Sequence, residues 1–533
     1  MRDEAYLAPR DANFRPLTPL DFLERAVSSY SDRTAVIWRN QSWSYGEFNG
    51  IVREFAAWLE AQGVGQGDVV SIMCSNRPEM LAAHYAVPML GATLNSINTR
   101  LDEETVEYIL GHCKSRLVIA DPMCKPVAEA AAKEVGLPCT GLAPDGRDMA
   151  IGLALLGAAP ALAADMTARI TDEWQPIALN YTSGTTSHPK GAVLHHRGAY
   201  LNALGNMLAL GFNEQTVYLW ILPMFHCNGW CHTWAVTAAG GVHVCLDQVD
   251  PTEIFQTIES ASVTHMACAP VVLYMLLNHE ARSLRDPAKR VTVATGGAAP
   301  TSTLISQMDE MGFGFIHLYG LTECYGPVSL RTLDESEEVL ETSERANLLA
   351  RQGSRHVTAN RIRVVDEAMN AVPLDGNTIG EIVLQGNTLM AGYLGDSQAT
   401  EDAFRDGVFH TGDLAVMHPD GQIEIKDRAK DIIISGGENI SSLEVENVLH
   451  LHPAVMLAAV VAKPHPKWGE VPCAFVEIRS GWSVEPEDLR LFCRERLAHF
   501  KVPREIVFAE LPKTATGKIM KFELRHQTSE QGS

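Results

Sequence analysis

Short β-rich apolar runs alternate with longer stretches whose apolar residues suit helices. The run GDVVSIMC at 67–74 precedes the helical stretch EMLAAHYAVPMLGA, and SRLVIAD at 115–121 precedes CKPVAEAAAKEVG. Further strands are expected at PIALNYT (176–182), VYLWILPM (217–224), GVHVCLD (241–247), THMACAP (264–270), KRVTVATGG (290–297) and GFIHLYG (314–320). This alternation predicts an α/β protein built on mostly parallel sheets covered by helices. From about 361 the helical runs fade, and RIRVVDEAMNAVPLDGNTIGEIVLQG and DGQIEIKD predict a β-rich subdomain. After Arg428 helices near LEVENVLHLH and PEDLRLFCRERLAHF are separated by strands near VMLAAVVAK and CAFVEI, the pattern of a small α+β domain. The expected division is therefore a large N-terminal domain at 1–427, its β-rich part at about 340–427, and a C-terminal domain at 428–533. No internal repeat or low-complexity segment interrupts it.

Composition agrees with several domains. A chain of 533 residues exceeds what one hydrophobic core usually supports, and 46% hydrophobic with 20% charged residues is globular. The longest apolar stretch, 150–164, is too short to span a bilayer, and the start MRDEAYLAPRD has no apolar targeting core, so membrane insertion and export are not expected. The net charge of -22 disfavours a nucleic-acid partner and requires that anionic ligands be held by local cations. Eleven scattered cysteines, several inside apolar runs such as HVCLD and HMACAP, suit buried free thiols and a cytoplasmic location. HCNGWCH brings together His226, Cys227, Cys231 and His232. Without a second cluster at zinc-finger spacing it reads as a mixed pocket wall rather than a metal site.

The richest chemistry lies in YTSGTTSHPKG, 181–191. Hydroxyls surround Gly184, whose backbone can pass close to phosphate oxygens, and Lys190 adds a positive charge. The stretch reads as a polyphosphate cradle, with a polar turn between strands as the plainer alternative. It is not the Walker A loop, because Pro189 precedes Lys190 and Gly191 follows it.

This loop resembles that of the adenylate-forming superfamily of acyl-CoA synthetases, luciferases and peptide-synthetase adenylation domains. The resemblance continues in the family's order through LPMFHCNGW (222–230), GGAAP (296–300), YGLTE (319–323), TGD (411–413), DRAKDIIISGGENIS (427–441) and PKTATGK (512–518). LPMFHCNGWCHTW and SGGENISSLEVE look most like the branch of methylthiopropionate-CoA ligases, medium-chain acyl-CoA ligases and plant benzoate-type activating enzymes.

The resemblance implies ATP-dependent formation of an acyl-adenylate, pyrophosphate release and transfer of the acyl group to coenzyme A, with Mg2+ assisting. Thr182, Ser183, Gly184, Thr185, Thr186 and Lys190 would then cradle the β- and γ-phosphates. Glu323 would bind magnesium, which favours one or two carboxylates plus phosphate oxygens, and Thr322 would touch the α-phosphate. Tyr319 would stack on adenine, Gly297 and Ala298 would allow close backbone approach, Asp413 would accept from the ribose hydroxyls, and Arg428 would add a further ribose or phosphate contact. Lys518 would be a mobile cation serving adenylation, and Lys430 the hinge of a rotating C-terminal domain. Gly436 and Gly437 would line the pantetheine channel, unless the pair is simply a turn. His226, counted with Lys518, Thr322 and Glu323 as catalytic, would border the acyl site with Trp230, and Trp230 could equally be core. A bulky indole there favours a short or medium acid, 3-methylthiopropionate-like compounds included. An aryl-CoA ligase of benzoate or cinnamate type and an enzyme loading a carrier protein are the rival readings. The partners implied are a small carboxylic acid, ATP and CoA, with homodimerisation left open.

Overall fold

The computed structural model describes residues 8–143, 165–182, 188–296, 302–479, 481–513 and 519–530. The chain divides into two units. The first comprises residues 1–248, 322–326 and 387–397, and the second comprises 249–321, 327–386 and 398–533.

The first unit contains a seven-stranded sheet in the order Gly392–Tyr393, Lys190–His195, Pro176–Thr182, Thr93–Ile97, Val69–Met73, Leu117–Ala120, Cys139–Gly141. The strands from Pro176–Thr182 to Cys139–Gly141 run parallel, with helices Pro78–Met89, Glu103–His112 and Lys125–Glu134 in the connections. Every residue of Thr93–Ile97 and Leu117–Ala120 is buried. Burial on both faces explains why Leu117–Ala120 reads as a continuous apolar run instead of an alternating one, whereas Thr93–Ile97, TLNSI, is buried with three polar residues and carries no apolar run to mark it as a strand. The same unit holds Val217–Trp220, Val242–Cys245 and Thr34–Trp38 in parallel, edged by antiparallel Gln41–Ser44.

The strand expected over 217–224 ends at Trp220. The cause is Asn76, whose side-chain nitrogen donates to the carbonyls of Trp220 (2.9 Å) and Leu222 (3.0 Å) while its oxygen accepts from the Met224 N–H (2.7 Å). These bonds draw the backbone out of the ladder just before His226.

The second unit has parallel strands His265–Cys268, Val291–Thr295 and Phe313–Leu321. It also has the expected β-rich part, an antiparallel sheet of Arg361–Val365, Gly380–Gln385, Phe409–Met417 and Ile423–Arg428. Its C-terminal region is α+β. Strands Val455–His465 and Gly469–Ile478 pair over their whole length, and their side chains alternate between two cores. Ala458, Val460 and Val476 join Val445 and Leu449 of helix Ser442–His450 on one face. Leu457, Ala459 and Phe475 meet Leu524 of helix Lys521–Glu530 on the other. Among the described residues no helix is long and apolar enough to cross a membrane.

Candidate active site

The hairpin of Pro176–Thr182 and Lys190–His195 places Thr182 directly opposite Lys190, so a hydroxyl and a cation face each other where the two strands leave the intervening segment. Ser183, Gly184, Thr185 and Thr186 lie outside the described residues, as do Gly297, Ala298 and Lys518. The Lys190 ammonium lies 3.4 Å from Asp396 Oδ2 and 5.2 Å from the centre of the Tyr393 ring. Tyr393 in turn donates its hydroxyl to Glu323 Oε1 at 2.8 Å. Burial first, then the adjacent Glu323 carboxylate, pushes the Tyr393 phenol well above the usual tyrosine range, so it stays protonated and remains a donor. The Glu323 main chain is tied as well, since the Met390 N–H donates to its carbonyl at 2.7 Å. Tyr393 and Asp396 are site residues that the motif reading did not name. The signal available for them was the turn-rich MAGYLGD, with a tyrosine closing a short edge strand and an aspartate three residues beyond it.

This arrangement fits a divalent cation bound with a polyphosphate. Glu323 offers a carboxylate oriented by one phenol, no described cation forms an ion pair with it, and Lys190, paired with Asp396, is a separate positive charge.

His226 opens a short helical turn, Cys227–Trp230. Cys227 Sγ lies 3.3 Å from Thr322 Oγ1, joining this turn to the 3-10 turn Thr322–Cys324. Burial pushes the Cys227 thiol up to about 12, so it is neutral, while the Cys231 thiol donates to the Tyr325 carbonyl at 3.1 Å. His226, Cys227 and Thr322 line a cavity of about 50 Å³ together with Asn180, Phe225 and Ile97. Trp230 is 9% exposed, with its ring 6.1 Å from that of His232.

In the second unit, Tyr319, Asp413 and Arg428 come together. The Tyr319 hydroxyl donates to Asp413 Oδ2 at 2.8 Å, and Arg428 Nε lies 3.2 Å from Asp413 Oδ1. Asp413 and Arg428 are cross-strand neighbours, which is why two motifs fifteen positions apart meet. Each carboxylate oxygen keeps a second lone pair for a vicinal diol. Lys430 is exposed in the turn that follows. Gly436 and Gly437, with φ of 62° and 90°, form the two-residue loop between Ile433–Ser435 and Glu438–Ile440. A Cβ on Gly436 would meet the Trp468 ring at 2.7 Å.

The comparisons with known proteins agree with this chemistry. The model of the AMP-binding enzyme family matches residues 23–394, and that of the AMP-binding enzyme C-terminal domain matches 444–518. Acetate–CoA ligase CCL3 of Humulus lupulus is 43% identical over 557 residues, covering 100% of this chain and 98% of its own. The peroxisomal trans-cinnamate:CoA ligase of Petunia hybrida is 41% identical, covering 98% and 95%. Among solved structures, ATP-bound MatB from Rhodopseudomonas palustris superposes with a TM-score of 0.84 at 25% identity, covering 96% of this chain and 100% of that one.

The expected cytoplasmic location is corrected by these names, since the cinnamate ligase and several Arabidopsis thaliana relatives are called peroxisomal. The inference failed because it rested on the thiols. All the cysteines but Cys139 are buried, and a buried thiol is shielded from oxidants in any compartment and so carries no address. With both family models matched and relatives aligned nearly end to end, the chain belongs to the AMP-binding enzyme family, as an adenylate-forming acid–thiol ligase that uses ATP, Mg2+ and coenzyme A.

Proposed function

We propose that this enzyme activates a short- or medium-chain carboxylic acid and transfers it to CoA. The observation that carries the acid's size is the cavity of about 50 Å³ bounded by His226, Cys227 and Thr322. That space holds only a few water-sized groups, too few for a long chain.

Carboxylate and ATP are both anionic, so the chain's residues must neutralise charge and hold the two in line. Lys190, with the hydroxyl of Thr182, holds the outer phosphates, while Tyr319, Asp413 and Arg428 hold the ribose end. Thr322 lines the acid cavity, with its hydroxyl beside the neutral Cys227 thiol, and would touch the α-phosphate there. His226 borders the same cavity. Bound at Glu323, Mg2+ would neutralise phosphate charge as pyrophosphate departs. Lys518 would neutralise the carboxylate and α-phosphate during adenylation only. Rotation about Lys430 would then bring the Gly436–Gly437 turn to the thiol's path.

The test is pyrophosphate release across a panel of acids, with and without CoA. Acetate to hexanoate should give the highest kcat/KM, with AMP release dependent on CoA. Preference for benzoate or cinnamate would establish the aryl reading, which the Petunia relative's name favours. AMP release indifferent to CoA would point to a carrier-protein acceptor.

A further inference from the structure

Five consecutive residues, Cys227 to Cys231, have φ of 43°, 45°, 59°, 53° and 62°. Gly229 takes this conformation freely and Asn228 at small cost, but Cys227, Trp230 and Cys231 are each disfavoured by about 1–2 kcal/mol. Tyr325, in the neighbouring turn, is left-handed too, at 61°. Such backbone persists only where its surroundings over-determine it.

Two asparagines do so. Asn206 Nδ2 donates to the Trp230 carbonyl at 2.7 Å, and Asn202 Nδ2 donates to the Tyr325 carbonyl at 2.9 Å. Asn206 Nδ2 also donates to Asn202 Oδ1 at 3.2 Å, which links the two amides. Both are fully buried and stand one turn apart on helix His196–Ala209. The bracket has little slack, because a Cβ on Gly326 would lie 3.0 Å from Asn202 Nδ2.

The helix itself is fixed in place. It continues directly from Lys190–His195, the strand that leaves the phosphate loop. His195 Nδ1 accepts from the Gly198 N–H at 2.9 Å, and Nε2 meets the Leu389 carbonyl at 2.9 Å. Burial pushes the His195 imidazole down to about 4, so it caps the helix as a neutral ring.

We propose that Asn202 and Asn206 are positioning residues for the ligation reaction. They fasten the turn bearing His226 and Cys227 and the turn bearing Thr322 and Glu323 to one helix, which fixes the spacing between acid cavity and metal-binding carboxylate. The proposal rests on the roles given above to that cavity and to Glu323. Neither asparagine touches a reactant. Each acts through a backbone carbonyl that it grips from behind.

The experiment uses the full chain and measures pyrophosphate release while Mg2+ and the best acid of the panel are varied separately. Asn202→Asp keeps the shape but sets a carboxylate oxygen against the Tyr325 carbonyl. It should raise the Mg2+ needed for half-maximal rate by about 10–100-fold, the usual cost of losing an outer-shell partner, and change the acid KM far less. Asn206→Asp, acting on Trp230, should raise the acid KM about 10-fold and, through its link to Asn202, shift the Mg2+ requirement far less. If the buried charge impairs folding, Asn202→Ala and Asn206→Ala should show the same split at a smaller size. A lowered Tm or active fraction with both half-saturation values unmoved means a merely structural role, and overturns the proposal while the functional reading stands. A wild-type chain that activates no acid refutes the functional reading, and the proposal with it.

Discussion

The turns at 227–231 and 322–326 in the first unit and the segment around Asp427–Asp431 in the second are both anchored from helices, but by opposite chemistry. The first pair is gripped by neutral amides and thiols on backbone carbonyls. The second is held by charge. Asp427 Oδ2 accepts from both the N–H (2.5 Å) and hydroxyl (2.7 Å) of Ser442, and Lys521 lies 2.7 Å from Glu446 Oε1 and 2.6 Å from Ser442 Oγ. Arg525 pairs with Asp431. Burial pulls Lys521 downward, yet Glu446, Asp427 and Asp431 outweigh it and hold the ammonium above the ordinary lysine range. A hydrogen bond fails within a few tenths of an ångström, whereas Coulomb attraction falls only as the inverse of distance. Amide brackets therefore suit a geometry that must not change, and a charge cluster suits a segment that moves and re-forms. That is the contrast expected if Lys430 is the hinge.

The largest effect should come from breaking the charge cluster. Lys521→Met leaves Glu446 and Asp427 buried beside an apolar group and should cost about 3–5 kcal/mol in chemical denaturation, the usual penalty for an orphaned buried charge. If the loss stays below about 1 kcal/mol, no more than an exposed ion pair contributes, the cluster is not an anchor and the contrast collapses.

Lys518→Ala should slow acyl-adenylate formation by about 10²–10³, the typical cost of one preorganised electrostatic group. Thioester formation from supplied acyl-adenylate should be nearly untouched. Equal loss in both half-reactions, measured by pre-steady-state pyrophosphate and thioester assays, would remove Lys518 from its assigned step.

Lys430→Pro should do the reverse. Proline fixes φ near one value, so thioester yield should drop by at least about 10-fold while pyrophosphate release persists. Full overall turnover would mean that the segment need not move there.

The smallest change concerns Trp230, whose carbonyl Asn206 grips. Trp230→Ala should move the optimum of kcat/KM toward longer acids, by about 4-fold per added methylene if each contributes about 0.8 kcal/mol when buried. A variant that is merely less stable, with an unmoved optimum, makes Trp230 core.

Much of the fold was legible because its signals are local. Val69–Met73, Leu117–Ala120 and Pro176–Thr182 are read as strands from apolar runs within a short window, whereas Thr93–Ile97, TLNSI, has no such run and was not expected, and the blocks at 181–191 and 319–323 are written in contiguous residues. Asn202 and Asn206 carried no such signal. Two polar residues at i and i+4 on a helix look like a solvated face, and their partners lie 24 and 123 positions away. The same distance hid Tyr393 from Glu323, and Asn76 from the end of the strand at Trp220.

The sequence by itself determined most of the alternation of strands and helices and the β-rich part, because periodicity and residue type act within a turn or two of chain. Tertiary structure alone decided the left-handed run from Cys227 to Cys231 and the joining of its turn to Thr322. The local preference of cysteine and tryptophan opposes positive φ, and only hydrogen bonds from distant, fully buried side chains can hold the backbone there.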